Sequence, residues 1–179
     1  MNKIKDLIFR YLLIFLIALP NLYVFYLIFT PLTLYSIYFL LSIFYNVTLI
    51  QDTLILNGFS IALIKACIAG SAYYLLFILS FSIPNIKLKK RIKILFFGYF
   101  LFFIANCFRI FLLILVLFYR PFLFDFTHKF FWYFISTLLV VFIWFIEIKL
   151  FKIKQIPIYS DIKHLIKIIK KSKTSKENK

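Results

Sequence analysis

Long apolar segments separated by short polar stretches dominate this chain. A helix needs about 20 mainly apolar residues to cross the hydrocarbon core of a bilayer. The pattern therefore predicts an all-α integral membrane protein with about four transmembrane helices. Pro20 and Asn21 interrupt the first apolar segment and predict a kink there. The four predicted spans are residues 11–29, 61–83, 94–119 and 130–150.

A fifth apolar segment, residues 32–45, is too short for a span. Its 14 residues would form a helix about 21 Å long, against a hydrocarbon core of about 30 Å. Pro31 comes directly before it and is the predicted start of a new helix. An even number of crossings must separate the basic N-terminus from the lysine cluster at 87–93 if both are cytoplasmic. We therefore predict that 32–45 forms a re-entrant or interfacial helix on the outer side.

The pattern changes to β-branched residues between the short segment 32–45 and the predicted span 61–83. Two short runs, residues 47–50 and 53–56, are separated by Gln51 and Asp52. Such runs around a polar pair are typical of a hairpin. The sequence therefore predicts a small β-hairpin on the outer surface.

The C-terminal region is basic and differs from the rest of the chain. Apolar residues recur at helical spacing among lysines over residues 158–171, which is typical of an amphipathic helix on an anionic membrane surface. We predict one transmembrane domain, residues 1–154, that would carry any catalytic site. A basic cytoplasmic tail, residues 155–179, would follow it.

Composition and charge support a membrane location and argue against nucleic-acid binding. The chain is 64% hydrophobic and carries a formal net charge of +16. The Lys and Arg residues cluster beside the apolar segments, as in cytoplasmic loops and juxtamembrane tails. Binding to nucleic acid would need an extended basic face instead. We predict a multi-pass protein of the cell membrane with both termini cytoplasmic and no nucleic-acid partner.

Three reactive side chains lie in or beside successive apolar segments: Cys67, Arg109 and His128. Ionisable groups inside a membrane are costly, so they are candidates for function. Helical rise places Cys67 about 9 Å and Arg109 about 15 Å below the outer ends of their segments. His128 falls in a short outer loop, residues 120–129. We expect the three side chains to share one pocket that opens to the outside.

Neighbouring residues favour nucleophilic acyl transfer at this pocket. Asn106 lies one turn before Arg109 on the same helix face, and Gly70 and Ser71 share the predicted face of Cys67. A nearby guanidinium favours the thiolate form of cysteine, and a histidine can take the thiol proton. No Cys/His spacing typical of a metal site occurs, so we predict no metal and no cofactor.

Each of these residues also has a purely structural interpretation. Cys67 would be a small buried hydrophobe, Arg109 an ion-pair partner of Asp125, and His128 an ordinary interfacial histidine. Arg109 is the hardest to explain in this way, because no acidic residue occurs between positions 61 and 119.

The residues in this region resemble the exosortase/archaeosortase family of membrane-embedded cysteine transpeptidases. The similarity covers about residues 46–135 and is carried by ACIAGSAY around Cys67, by NCFRI around Arg109 (the family's Asn-x-x-Arg-Ile pattern), and by His128 in the next outer loop. It implies Cys67 as nucleophile, Arg109 as stabiliser and His128 as acid/base. Many family members have Cys-x-Gly, whereas one more residue separates Cys67 from Gly70 here.

The resemblance also implies substrates and an acceptor. A compact archaeal-type member would cleave the C-terminal sorting signal of surface proteins, hold each protein as a thioester and transfer it to an acceptor amine on a lipid. Two alternatives stay open from the residues themselves. One is a membrane cysteine protease with water as acceptor. The other is a non-enzymatic membrane subunit or transporter component in which Arg109 binds an anion.

Overall fold

The computed structural model describes residues 3–56, 58–84 and 86–153 and is mostly helical (76%). The predicted basic tail, residues 155–179, with its amphipathic helix, lies outside the described residues. In chain order the elements are α1 (Lys3–Ala18), α2 (Tyr23–Ser42), β1 (Val47–Ile50), β2 (Thr53–Leu56), β3 (Phe59–Ala62), α3 (Lys65–Ile68), α4 (Gly70–Phe81), α5 (Leu88–Tyr119), α6 (Pro121–Phe130), a π-helical turn (Phe131–Ile135) and α7 (Ser136–Leu150).

Three helices are long and apolar enough to cross a membrane among the described residues. They are α2, α5 and the continuous helical stretch Pro121–Leu150, while Lys65–Phe81 is apolar but shorter. The membrane character and the helical class predicted from the apolar segments are therefore supported. The predicted span at 94–119 lies inside α5, which begins earlier, at Leu88.

The predicted kink at Pro20 and Asn21 coincides with a break of four residues between α1 and α2. The predicted restart at Pro31 is wrong, because residues 32–42 continue α2 instead of forming a separate re-entrant or interfacial helix. α1 ends at Ala18, and Asn21 and Leu22 adopt left-handed conformations with φ of 48° and 61°. Two consecutive left-handed residues cannot continue a right-handed helix. Pro31, in contrast, lies inside α2, although an interior proline removes one backbone hydrogen bond and crowds the carbonyl four residues earlier, at a cost of about 3 kcal/mol.

The predicted hairpin is present but belongs to a three-stranded antiparallel sheet with strand order β1-β2-β3. Gly58, with φ of 87°, turns the chain into the third strand, a conformation that glycine adopts at low cost. Because β3 includes Ile61 and Ala62, the predicted helix start at residue 61 is wrong. Helix begins only at Lys65.

The predicted outer loop, residues 120–129, is also helical. Pro121 occupies the first turn of α6, a position that proline favours because its missing N–H has no helical partner there. Phe122, Phe126 and Phe130 then follow at four-residue spacing along one side of α6, and all three rings are exposed. His128 therefore lies on a helix rather than in a loop.

Side-chain contacts fix the directions of the helices. Arg10 on α1 donates to the Ser82 carbonyl (3.1 Å), and Tyr74 on α4 donates to the Ile14 carbonyl (3.0 Å), so α1 and α4 are antiparallel. Phe29 on α2 stacks on Tyr73 (centroids 3.5 Å apart).

The second half of α2 runs beside the second half of α5. Leu34, Ile37 and Leu41 pack in one cluster with Ile110 and Ile114. Beyond this cluster, the hydroxyls of Tyr45 and Tyr119 lie 3.2 Å apart. Hence α1 and α2 run in the same direction as α5 and form one interrupted passage through the bundle.

The buried side chains form two clusters, one above the other along the bundle axis. The first lies between α2, α4, α5 and α7 and includes Tyr73, Phe77 and Phe102. The second lies between the far half of α2, the sheet and the far half of α5, and includes Leu54 and Ile110. Asn106 and Arg109 lie on α5 where one cluster gives way to the other.

Charged residues gather at the end of the bundle where α4 ends and α5 begins. Arg10 and Arg91 donate to the carbonyls of Ser82 and Ile83, at 3.1 and 2.9 Å, and Arg10 also pairs with Asp6. Lys90 donates to the carbonyl of Phe151 after α7 (2.8 Å). We call this end the basic end.

A close contact between α5 and α7 depends on Gly98. A Cβ at this position would collide with Oε1 of Glu147, whose side chain is fully buried. We predict that Gly98→Ala destabilises the fold by about 1–3 kcal/mol through overpacking, despite the better helix propensity of alanine. Denaturant unfolding in detergent would measure this loss.

The matched control is Gly98→Ala in a Glu147→Ala background, where the collision is absent. The two substitutions should then be strongly non-additive, because they share one contact. Additive losses would contradict the proposed packing of the Glu147 carboxyl on Gly98.

Candidate functional site

The site is built around a helix that breaks immediately after Cys67. α3 has only four residues, Lys65–Ile68, and the next residue, Ala69, adopts a left-handed conformation with φ of 56°. This conformation costs a residue other than glycine about 1–2 kcal/mol, and Ala69 is buried in the first cluster. The break changes the helical register, so the predicted common face of Cys67, Gly70 and Ser71 does not hold.

The broken helix leaves backbone carbonyls that two side chains of α5 satisfy. The last carbonyls of any helix lack helical donors. Asn106 donates through Nδ2 to the Cys67 carbonyl at 3.1 Å, and Arg109 donates through Nη2 to the same oxygen at 3.0 Å. Arg109 also reaches the Ala66 carbonyl at 3.5 Å. The residue that carries the thiol is thus held by two donors one helical turn apart on α5.

Arg109 is held on its other side by Ser136. Its Nη1 donates to Ser136 Oγ, and that hydroxyl donates to the Phe131 carbonyl at 2.9 Å. The π-helical turn from Phe131 to Ile135 sets the position of Ser136 at the start of α7. Ser136 could not be singled out from the sequence, because a serine in an apolar helix is not by itself a specific signal.

These contacts show which groups surround the buried positive charge of Arg109. Among the described residues it forms no salt bridge, and its proposed pairing with Asp125 is not seen. Its acceptors are two carbonyls and a hydroxyl, although Arg109 is 5% exposed. The charge is therefore balanced by dipoles, and no anion neutralises it within the described part of the chain.

Two buried polar atoms at the site have no hydrogen-bond partner among the described residues. They are Nε of Arg109, a donor, and Oδ1 of Asn106, an acceptor. Buried polar groups are usually hydrogen-bonded, and exceptions often mark functional positions. One donor and one acceptor thus remain for a bound group next to the Cys67 turn.

Gly70 has a packing role that explains its place after Cys67. A Cβ at Gly70 would lie 2.8 Å from Cζ of Tyr26 on α2. The Tyr26 ring also lies 5.6 Å from Nζ of Lys65, in a cation–π contact. Ser71 is exposed and forms no hydrogen bond to Cys67 within the described structure.

His128 lies apart from the other candidates. Its ring stacks on Phe124 with centroids 5.5 Å apart, and no hydrogen bond joins it to Cys67 in the described residues. It precedes Ser136 by eight residues, or about 12 Å along the helical axis. The structure thus brings together Cys67, Asn106 and Arg109, and it places His128 further along α6.

Both cysteines are free, and only Cys67 is partly accessible. Cys107 is buried in the second cluster, against which Cys67 also packs. No group of three His, Cys, Asp or Glu side chains that could hold a metal ion occurs among the described residues.

The distance along α5 gives the height of the site above the basic end. Arg109 follows Arg91 by 18 residues, which corresponds to about 27 Å. This is close to the thickness of a hydrocarbon core, about 30 Å. The Cys67 turn therefore lies about one hydrocarbon thickness from the basic end, with the sheet and the far halves of α2 and α5 beyond it.

The geometry predicts a large structural contribution from Arg109. Arg109→Met removes the donors to two buried carbonyls and to Ser136, and should cost about 2–4 kcal/mol, since hydrogen bonds to charged groups are worth about 1.5–3 kcal/mol each. Ser136→Ala should cost about 1 kcal/mol, because the arginine keeps its carbonyl acceptors. Denaturant unfolding in detergent would measure both losses.

Arg120→Met is the control, because Arg120 is an exposed arginine at the end of the same helix. Its effect should stay within about 0.5 kcal/mol. An Arg109→Met loss no larger than that of Arg120→Met would show that Arg109 does not cap the broken helix.

Comparison of the chain with protein-family models, curated proteins and solved structures found no match in any of the three. Function is therefore inferred from the residues of the site and their geometry.

Proposed function

We propose that the protein is a membrane-embedded cysteine transpeptidase with Cys67 as its nucleophile. The observation that carries this proposal is the convergence of Asn106 and Arg109 on the carbonyl of Cys67. A buried structural cysteine needs no such support, whereas a nucleophile must be held in a fixed orientation towards its substrate. The similarity of the same residues to exosortase/archaeosortase motifs points to the same chemistry.

Arg109 has two roles in this proposal. Through its two terminal nitrogens it fixes the Cys67 turn and Ser136, and its positive charge beside that turn favours the thiolate. Its remaining donor, Nε–H, is buried and without an acceptor in the described structure. This donor would stabilise the oxyanion that forms on the substrate carbonyl, where one donor is typically worth about 3 kcal/mol.

The proposed reaction has two steps, the formation of a thioester and its attack by an acceptor amine. The Cys67 thiolate attacks the carbonyl carbon of the scissile peptide bond, and the C–N bond breaks as the leaving amine takes a proton, which produces a thioester. An acceptor amine then attacks the thioester carbonyl and loses a proton. A new amide forms, and the thiolate is released.

His128 is the proposed proton carrier between these steps. It lies on α6, about 12 Å beyond Ser136 along the helix, on the side of the site away from the basic end. A leaving or attacking amine between the thiol and α6 would meet it there. Catalytic hydrogen bonds often form only in the substrate complex, so the separation in the free protein is compatible with this role.

The proposed orientation follows from the distribution of charge. Lysines and arginines gather at the basic end, which we place in the cytoplasm in agreement with the positive-inside rule. The Cys67 turn then faces the outer surface of the cell membrane, and both termini are cytoplasmic. The proposed partners are surface proteins with a C-terminal sorting signal and an acceptor amine on a lipid.

Replacement of the nucleophile tests the catalytic proposal. Co-expressed with a surface protein that ends in a short motif, one apolar span and a basic cluster, Cys67→Ala should abolish processing. Arg109→Lys should reduce it at least about tenfold, because one ammonium cannot supply the same set of donors. Cys107→Ala should retain processing and serves as the matched control. Gel shift and mass spectrometry of the surface protein would measure the outcome.

The product distinguishes the remaining alternatives. A product with an added lipid amine supports transpeptidation, and a product with a free carboxylate supports the protease. If Cys67→Ala retains full function while Arg109→Lys does not, the protein is a non-enzymatic subunit and the proposal is wrong.

Thiol labelling tests the orientation. In whole cells that carry the Cys107→Ala variant, a membrane-impermeant maleimide should label Cys67, because the thiol is partly accessible and would face outward. Cys67→Ala in the same background gives the unlabelled control. Labelling that requires permeabilised cells would place the site on the cytoplasmic side.

A further inference from the structure

A cavity lies between Lys65 of α3 and the helix break that separates α1 from α2. Its volume is about 450 Å³, within the range of ligand sites. The helix break between α1 and α2 forms its floor, and α3 forms one wall. Its lining residues are Pro20, Asn21, Tyr23, Tyr26, Leu27, Thr30, Pro31 and Lys65.

The lining divides into a polar part and an apolar part. Asn21, Tyr26, Thr30 and Lys65 supply polar groups, whereas the remaining residues are apolar or aromatic. Lys65 is the one charged residue of the lining, and it forms no ion pair among the described residues. The cavity is therefore suited to a ligand with an anionic group next to a hydrocarbon portion.

The cation–π contact restricts the position of Lys65. Its Nζ lies 5.6 Å from the ring centroid of Tyr26, and Tyr26 packs directly against Gly70. Lys65 is exposed, and this contact, worth about 0.5–1 kcal/mol at an exposed site, favours a position of the ammonium at the wall of the cavity. A positioned cation beside polar side chains resembles a phosphate-binding arrangement, since Lys binds phosphate as a point charge.

The height of the cavity in the membrane indicates which kind of anionic ligand could reach Lys65. Lys65 lies two residues before Cys67, whose carbonyl meets Arg109, and Arg109 is about 27 Å from the basic end. One hydrocarbon thickness separates the two headgroup layers of a bilayer. If the basic end lies at one headgroup layer, Lys65 lies at the phosphate layer of the other leaflet. Tyr23, which is 62% exposed and lies about one helical turn nearer the basic end than Tyr26, then faces the lipid chains below that layer.

We propose that this cavity binds an anionic phospholipid, with its phosphate on Lys65 and an acyl chain that extends past Tyr23 toward the basic end. Thr30 would donate to a remaining phosphate or glycerol oxygen. The proposal depends on the height of Lys65 in the membrane and is independent of the chemistry at Cys67. Because the cavity borders α3, a bound lipid would also stabilise the turn that holds the thiol.

Lipid binding to the purified full chain in detergent tests the site. The probe is a short-chain phosphatidylglycerol with a fluorescent acyl group, followed by anisotropy. Lys65→Met should weaken binding about tenfold, since a charge-assisted hydrogen bond is lost, and Lys65→Arg should retain affinity within about threefold. Lys129→Met removes an exposed lysine of α6 that is not part of the cavity lining, and should leave affinity unchanged.

Measurements with three further ligands show which part of the phospholipid the cavity recognises. Labelled diacylglycerol, which lacks the phosphate, should bind at least about tenfold more weakly than phosphatidylglycerol. Inorganic phosphate should compete poorly, because it lacks the acyl chain, and a labelled fatty acid should bind more weakly than the phospholipid. Equal loss in Lys65→Met and Lys129→Met, or equal binding of diacylglycerol, would overturn the proposal.

Cys67→Ala should bind phosphatidylglycerol as the unmodified protein does, so lipid binding is measured independently of catalysis. Unfolding in detergent of Lys65→Met should match that of Lys129→Met. If Lys65→Met proves unstable, Thr30→Val provides a second variant within the cavity, for which weaker phosphatidylglycerol binding is expected and unchanged binding would count against the proposal.

Discussion

The structure depends on how one backbone carbonyl, that of Cys67, is satisfied inside an apolar bundle. A helix that ends away from water leaves carbonyls without donors, and each unsatisfied group in an apolar environment costs several kcal/mol. Here the helix ends after four residues, and α5 supplies the missing donors from Asn106 and Arg109. Because the two side chains lie three residues apart on one face of α5, they can reach the same oxygen. The broken helix, the buried arginine and the left-handed Ala69 are therefore parts of one arrangement, and none of them would be stable alone.

The other end of the segment that begins at Cys67, after α4, is also stabilised by arginine side chains that donate to backbone carbonyls. The carbonyls of Ser82 and Ile83, which follow α4, accept hydrogen bonds from Arg10 and Arg91. The segment from Cys67 to Ile83 extends about 24 Å as a helix, less than a hydrocarbon core of about 30 Å. A short helix can occupy such an environment when neighbouring helices provide donors to its terminal carbonyls. The arginines thus make it possible for a segment too short to span by itself to form one passage of the bundle.

The apolar pattern of the sequence was sufficient to predict the helical membrane class and the location of α5, because apolar length depends on composition alone. The helix boundaries were harder to predict, because they depend on single backbone conformations. Pro20 and Pro31 look alike in the sequence, yet the chain breaks only near Pro20, where Asn21 and Leu22 are left-handed. Asn106 and Arg109 were identified because their spacing is a local property of one helix. Ser136 was not, because its contact with Arg109 depends on the packing of α7 and on the π-helical turn before it.

Two positively charged residues, Arg109 on α5 and Lys65 on α3, lie near the Cys67 turn. Dipolar acceptors hold Arg109 and leave its Nε–H without a partner in the described structure. Lys65 lies beside Tyr26 at a cavity without acidic residues. In the proposed function the charge of Arg109 beside the Cys67 turn favours the thiolate, and positive potential also attracts anionic headgroups and developing oxyanions. No carboxylate is needed to neutralise Arg109, and a carboxylate paired with it would weaken both effects. The absence of acidic residues from positions 61–119 is thus consistent with the positive site that the proposed function requires, in addition to the role of Arg109 in the fold.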